Sequence, residues 1–107
     1  MSAIPLPEAV EDFVAANNRH DADALMGTLA PNAVIFDDGT IYTQDSDIRE
    51  WIGSHLVVPN IVISPTCFVD GQMLAVSAGD YPGSPRSFAF TFDIAGKQVM
   101  RLSIEPA

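Results

Sequence analysis

The 107-residue sequence predicts an α+β fold in which a curved, mostly antiparallel sheet wraps over helices and encloses one pocket. Three observations predict it. Helical periodicity is confined to the first half of the chain, around one short strand ending in Phe36-Asp37-Asp38-Gly39. From Leu56 onward the texture is that of β-strands. Turn signals at Asp70-Gly71, Pro82-Gly83-Ser84 and Ala95-Gly96 fall 12 to 13 residues apart, the spacing of a meander of long strands.

Each element has a local justification. Met1 to Leu6 reads as a loose arm. Pro7 suits a helix's first turn, and Glu8, Glu11 and Asp12 suit its positive end. Val10, Phe13, Val14 and Asn17 recur at i, i+3, i+4 and i+7, so this helix points one face inward to about Arg19. Asp21 is a good N-cap for a second short helix burying Ala22, Leu25, Met26 and Leu29, ended by Pro31-Asn32. Ala33 to Phe36 is a strand, and Asp38-Gly39 turns it into Thr40 to Thr43. Asp45 or Ser46 caps a third helix whose apolar stripe is Ile48, Trp51, Ile52 and His55. The strands of the meander are Val57 to Val69, Met73 to Tyr81, Arg86 to Ile94 and Gln98 to Glu105. Pro59 and Pro65 mark the first of these as an edge strand or a bulged one.

Composition narrows the function classes. With 5 basic and 14 acidic residues the net charge is −9, which disfavours nucleic acid and anionic membrane as partners. The length suits one domain, 1–107. One cysteine, Cys67, excludes an internal disulfide, and no metal-type Cys/His spacing occurs. Cys67 is expected to be a small buried hydrophobe. The first fifteen residues carry no signal-peptide pattern, and no apolar stretch approaches a membrane span. The expectation is a cytoplasmic protein without metal or cofactor. No Ser-His-Asp order or glycine-rich phosphate loop is present.

The stretch DADALMGTLAPNAVIFDDGTIYTQDSDIREW, Asp21 to Trp51, resembles the opening of the nuclear transport factor 2-like superfamily in its SnoaL-like branch. The tail PGSPRSFAFTFDIAGKQVMRLSIEP is similar to the closing hairpins of the same group. With the first helix, the resemblance covers nearly the whole chain. It implies a cone: three N-terminal helices on the concave face of a strongly curved sheet. The superfamily includes ketosteroid isomerases, polyketide cyclases, epoxide hydrolases, dehydratases and members that only bind or dimerise, so fold alone selects no reaction.

The resemblance also ranks the candidate residues. Asp37 occupies a position similar to the aspartate general base of ketosteroid isomerases and is expected to face the cavity, whereas Asp38 belongs to the turn. That family's oxyanion tyrosine falls on Phe13 and its protonated aspartic acid near Phe88. Neither phenylalanine can donate a hydrogen bond, so steroid-type isomerisation lacks its largest electrostatic contribution. By resemblance Val99, Arg101 and Ser103 face the pocket, where Arg101 would need a carboxylate, either Asp37 or a ligand's. The opposite strand phase would leave Arg101 in solvent. His55, beside Trp51 on the third helix, is a third catalytic candidate or a core residue. His20 is expected at a helix C-terminus. Phe13, Asn17, Tyr42, Trp51, Phe88 and Phe90 are the candidate ligand-binding wall.

The expected partner is a small apolar ligand with one carbonyl or carboxylate, and the expected chemistry is proton transfer or hydration. The alternative is a non-catalytic dimerisation or accessory module. If Arg101 faces inward, Met100, Leu102 and Ile104 form an outward apolar row, which predicts a homodimer through the outer sheet face.

Overall fold

The computed structural model describes residues 4–107, so the arm expected over residues 1–6 lies partly outside the described residues. Helix α1 spans Glu8–Asn18, α2 Ala22–Gly27 and α3 Asp45–Ile52. The strands are β1 Leu29–Asp37, β2 Thr40–Tyr42, β3 Val62–Val69, β4 Gln72–Ala78, β5 Arg86–Ala95 and β6 Gln98–Pro106. They form one six-stranded sheet in the order β2-β1-β6-β5-β4-β3. All neighbouring pairs are antiparallel except β1 with β6. Three helices on a mostly antiparallel sheet make this the predicted α+β fold.

The core lies between α1, α3 and the inner sheet face. Phe13, Leu25, Ile35, Ile48, Trp51 and Leu102 are fully buried there. The Phe13 ring meets Phe92 edge-on at 5.7 Å, an arrangement favoured by the ring quadrupoles. The end of α1 is tied to the start of β3. Asn18 Oδ1 accepts from the Ile63 amide at 2.8 Å and its Nδ2 donates to the Ile63 carbonyl at 2.9 Å. Because β3 is a sheet edge, Asn18 satisfies backbone groups that would otherwise lack a strand partner. His20 follows the same logic, its Nε2 lying 2.9 Å from the Ile61 carbonyl.

Several boundaries differ from the sequence expectation, each for a tertiary reason. The second helix stops at Gly27 and β1 begins at Leu29, earlier than Ala33. Leu29 pairs with Val99 and Val34 with Arg101. Five steps along β1 thus match two along β6, and the surplus around Pro31-Asn32 bulges out. The third helix does not run as regular α-helix to His55. After Ile52 it loosens into a π-helical turn, Gly53–Val57, that carries His55. Strand β3 begins at Val62, not Val57, after a loop containing Pro59. Within β3 the register slips between Pro65 and Cys67, leaving Cys67 exposed where burial was expected.

The consequential difference is the phase of β6. Asp93 pairs with Arg101 but Ile94 pairs with Val99, so Met100 is an extra residue. Val99 is buried, as the inward phase requires, and the bulge then reverses the alternation. Leu102 and Ile104 are buried, while Met100 and Arg101 are exposed. The inward Arg101 and the outward apolar row of Met100, Leu102 and Ile104 are therefore both corrected. Only Met100 of that row faces solvent.

Candidate functional site

A cavity of about 380 Å³ opens between the π-helical turn, the loop before β3, the β4–β5 connection and the inner faces of β5 and β6. Its apolar wall includes Leu56, Ile61, Ile63, Phe88, Phe90 and Ile104. Its polar border includes Asp37, His55, Ser77 and Asp80.

Asp37 reaches it because β1 alternates. Ile35 is fully buried, Phe36 points outward at 39% exposure, and Asp37 returns inward at the strand end. Asp38 and Gly39, both at positive φ, close a two-residue hairpin in which Asp37 pairs with Thr40. That conformation suits Asp-Gly and matches the twist of the flanking strands. The Asp37 carboxylate is aimed by Trp51, whose Nε1 donates to Oδ2 at 2.8 Å. Oδ1 has no hydrogen-bond partner among the described residues.

His55 lines the cavity from the π-helical turn. Ser54 Oγ donates to the Glu50 carbonyl at 2.9 Å and lies 2.9 Å from His55 Nδ1. The imidazole tautomer sets which of Nδ1 and Nε2 donates. The Tyr42 ring stands between the two sides of this corner, 6.1 Å from Trp51 and 6.5 Å from His55.

The structure brings together Asp37, His55, Phe88 and Phe90 of the sequence candidates. It places the others elsewhere. Phe13 and Trp51 are buried core, and Tyr42 packs behind Trp51. Asn17 is fully buried, its Nδ2 donating to the Ile61 carbonyl at 3.2 Å while Oδ1 has no partner. Arg101 sits on the outer face, 4.0 Å from Asp93, both side chains more than half exposed. Such a pair contributes little to stability.

Ser77, Asp80 and Tyr81 were missed as site residues. Asp80 enters the cavity border because the β4–β5 hairpin closes onto the loop before β3. Its amide donates to the Pro59 carbonyl at 2.6 Å, and its Oδ2 accepts from Asn60 Nδ2 at 2.8 Å. Gly79 permits that approach, since a Cβ there would lie 2.7 Å from the Pro59 oxygen. A glycine followed by Asp-Tyr-Pro reads locally as a turn, so nothing in the sequence marked this contact. Arg86, in the same strand phase as Phe88 and Phe90, lies beyond the cavity wall with its guanidinium 5.6 Å from the Phe88 ring centre.

Among the described residues no group of three or more His, Cys, Asp or Glu side chains could hold a metal ion. No helix among them is long and apolar enough to cross a membrane.

No protein-family model matches the sequence, and no curated protein does. Solved structures do. A protein from Sinorhizobium meliloti, described as a candidate polyketide cyclase, is 32% identical with a TM-score of 0.85, covering 94% of this chain and 95% of that one. A protein of ketosteroid isomerase-like fold from Catenulispora acidiphila, in complex with trimethylamine, is 19% identical with a TM-score of 0.79. It matches over 96% of this chain and 88% of its own. SalBIII, an epoxide hydrolase/cyclase-like enzyme of pyran ring formation in salinomycin, is 18% identical with a TM-score of 0.71 over 94% and 88%. The last two show likeness of fold. With the first, near full-length in both directions, the relationship is one of family: the chain belongs to the nuclear transport factor 2-like superfamily, in its SnoaL-like, polyketide cyclase-like branch.

Proposed function

We propose that this SnoaL-like domain, residues 1–107, binds a small, largely apolar molecule in its cavity and performs a proton-transfer or hydration step on it with Asp37 as general base. The observation that carries this reading is the Asp37 carboxylate, which borders an open cavity and is held by Trp51 Nε1 with Oδ1 available. A base must be within hydrogen-bond reach of the proton it takes, and a carboxylate already oriented by a buried donor needs little reorganisation to do so. His55, on the same border, is a second side chain that can take or return a proton. Arg101 has no part in this chemistry, because the β6 bulge turns it away.

The open cavity supports a binding role over a purely structural one, since Trp51 and Phe92 fill the core rather than the cavity. The Catenulispora neighbour's small ligand supports small-molecule use of this fold. By resemblance, Phe13 and a position near Phe88 stand where ketosteroid isomerases carry their two side-chain donors to the enolate, and neither phenylalanine can donate a hydrogen bond. In the hydration reading Asp37 takes a proton from water as the new C–O bond forms and an epoxide C–O bond breaks, and that proton returns to the ring-opened alkoxide. A cytoplasmic setting and no nucleic-acid or membrane partner complete the reading, in keeping with the charge of −9.

A homodimer through the outer sheet face remains part of the proposal on a different basis from the β6 row. Phe36, Leu74 and Met100 are each 37–47% exposed, and Phe36 and Leu74 share the outward strand phase. Sedimentation equilibrium at tens of micromolar tests it, and a monomer there refutes it. The functional reading is tested by native mass spectrometry of the purified protein, followed by turnover of the ligand so identified. Asp37→Asn should fold normally and abolish turnover. Full turnover by that variant would remove Asp37 as the base.

A further inference from the structure

Several hydrogens around the cavity are already committed to the protein. Trp51 Nε1–H is on Asp37 at 2.8 Å, and the Tyr81 hydroxyl donates to the Ser77 carbonyl at 2.6 Å. Ser54 Oγ donates to the Glu50 carbonyl and lies 2.9 Å from His55 Nδ1. Asn60 donates to Asp80 at 2.8 Å. The backbone at the mouth follows suit. The Gly79 amide is on Ser84 Oγ at 2.9 Å and the Asp80 amide on the Pro59 carbonyl. Among the described residues the remaining side-chain capacity includes the lone pairs of Asp37, Asp80 and Tyr81 Oη, the Ser77 hydroxyl as an uncommitted donor, and His55 Nε2, whose role follows the tautomer. Among the described residues no Lys or Arg side chain lines it.

A ligand entering such a site satisfies it by bringing hydrogens, and two carboxylates favour bringing them on a cation. The aromatic wall agrees. Tyr81, Phe88 and Phe90 border the cavity, and the negative face of an aromatic ring attracts a cation. Phe88 already holds one, the Arg86 guanidinium.

We propose that the cavity is specific for protonated amines with an apolar body, and that Asp80, beside Tyr81 at the β4–β5 connection, is the residue that binds the ammonium. This rests on the reading of the cavity as a small-molecule site and leaves Asp37 as the base. Asp80 suits the role because its Oδ2 is positioned by Asn60 and its backbone by Pro59, so the carboxylate is held before the ligand arrives.

Three probes with one apolar body test it: 2-naphthylmethylamine, 2-naphthylmethanol and 2-naphthoate, titrated at pH 7 into 15N-labelled protein. The amine should bind about tenfold tighter than the alcohol, the size of one well-placed charge-assisted contact, and the carboxylate weakest. Asp80→Asn keeps an acceptor for Asn60 and should bring the amine down to the alcohol's affinity, leaving the alcohol unchanged. Asp70→Asn, at the distant β3–β4 turn, removes one negative charge and should leave the preference intact. Equal affinities, a preference that survives in Asp80→Asn, or an equal loss in Asp70→Asn would overturn the assignment. Tightest binding of the carboxylate would overturn it in favour of Arg86. If no probe shifts the amides of Ile61, Ile63, Ser77 and Phe90, the small-molecule reading of the cavity fails along with it.

Discussion

The Trp51–Asp37 contact couples the core to the cavity, and its strength can be worked from the structure. Trp51 is 1% exposed and its indole nitrogen lies 2.8 Å from a carboxylate oxygen. A hydrogen bond to a charged group contributes about 1.5–3 kcal/mol when well shielded. Asp37 is only half-buried and borders an open cavity, so water can replace part of the lost contact. About 1–2 kcal/mol of coupling is the resulting expectation. A double-mutant cycle of Trp51→Phe, Asp37→Ala and the pair isolates it from the packing lost with the indole ring. Trp51→Phe alone should cost more, about 2–4 kcal/mol, because it also leaves a void in a filled core. Trp51 is the single tryptophan, so its fluorescence cannot follow the variant, and urea unfolding must be read by far-UV circular dichroism. A coupling energy below about 0.3 kcal/mol would mean that Trp51 does not hold Asp37 and would remove the argument that the base is preorganised.

Other outcomes follow from the same geometry. Leu102→Ala should destabilise by about 2–5 kcal/mol in urea titrations whereas Arg101→Ala should fall within about 0.5 kcal/mol of the parent, and the reverse ranking would refute the β6 bulge. Gly79→Ala forces a Cβ to 2.7 Å from the Pro59 oxygen and should cost about 1–3 kcal/mol, while Gly27→Ala, with nothing within 4 Å, should be neutral or stabilising. Equal midpoints for the two glycine variants would show that the hairpin does not press on the loop before β3. Asn18→Ala should speed amide hydrogen exchange at Ile63 well above that of the neighbouring buried strands, because it removes both bonds that hold this edge. Unchanged exchange at Ile63 would mean that α1 does not restrain β3.

Features that depend on neighbours along the chain were legible in the residues alone. Helical periodicity located α1 and α3, Asp21 supplied the cap of α2 with its Oδ1 3.0 Å from the Ala24 amide, and Asp38-Gly39 and Asp70-Gly71 set two hairpins through residues that tolerate positive φ. Asp37 was singled out by its place at the end of β1 and by the family resemblance, and alternation from the buried Ile35 puts its side chain at the cavity border. Tertiary structure decided whatever depended on pairing between distant strands. Nothing in Val99-Met100-Arg101 marks Met100 as an unpaired residue. That follows from its register against Asp93 and Ile94, and one extra residue reversed the side on which every later side chain of β6 lies. Strand alternation is a local rule with period two, and a bulge set by the partner strand shifts its phase, so the inward phase that the resemblance implied for Val99, Arg101 and Ser103 is kept at Val99 and lost at Arg101. Asp80 was out of reach for a related reason. Its position depends on a hairpin meeting a loop twenty residues earlier, an approach permitted by the bare Cα of Gly79.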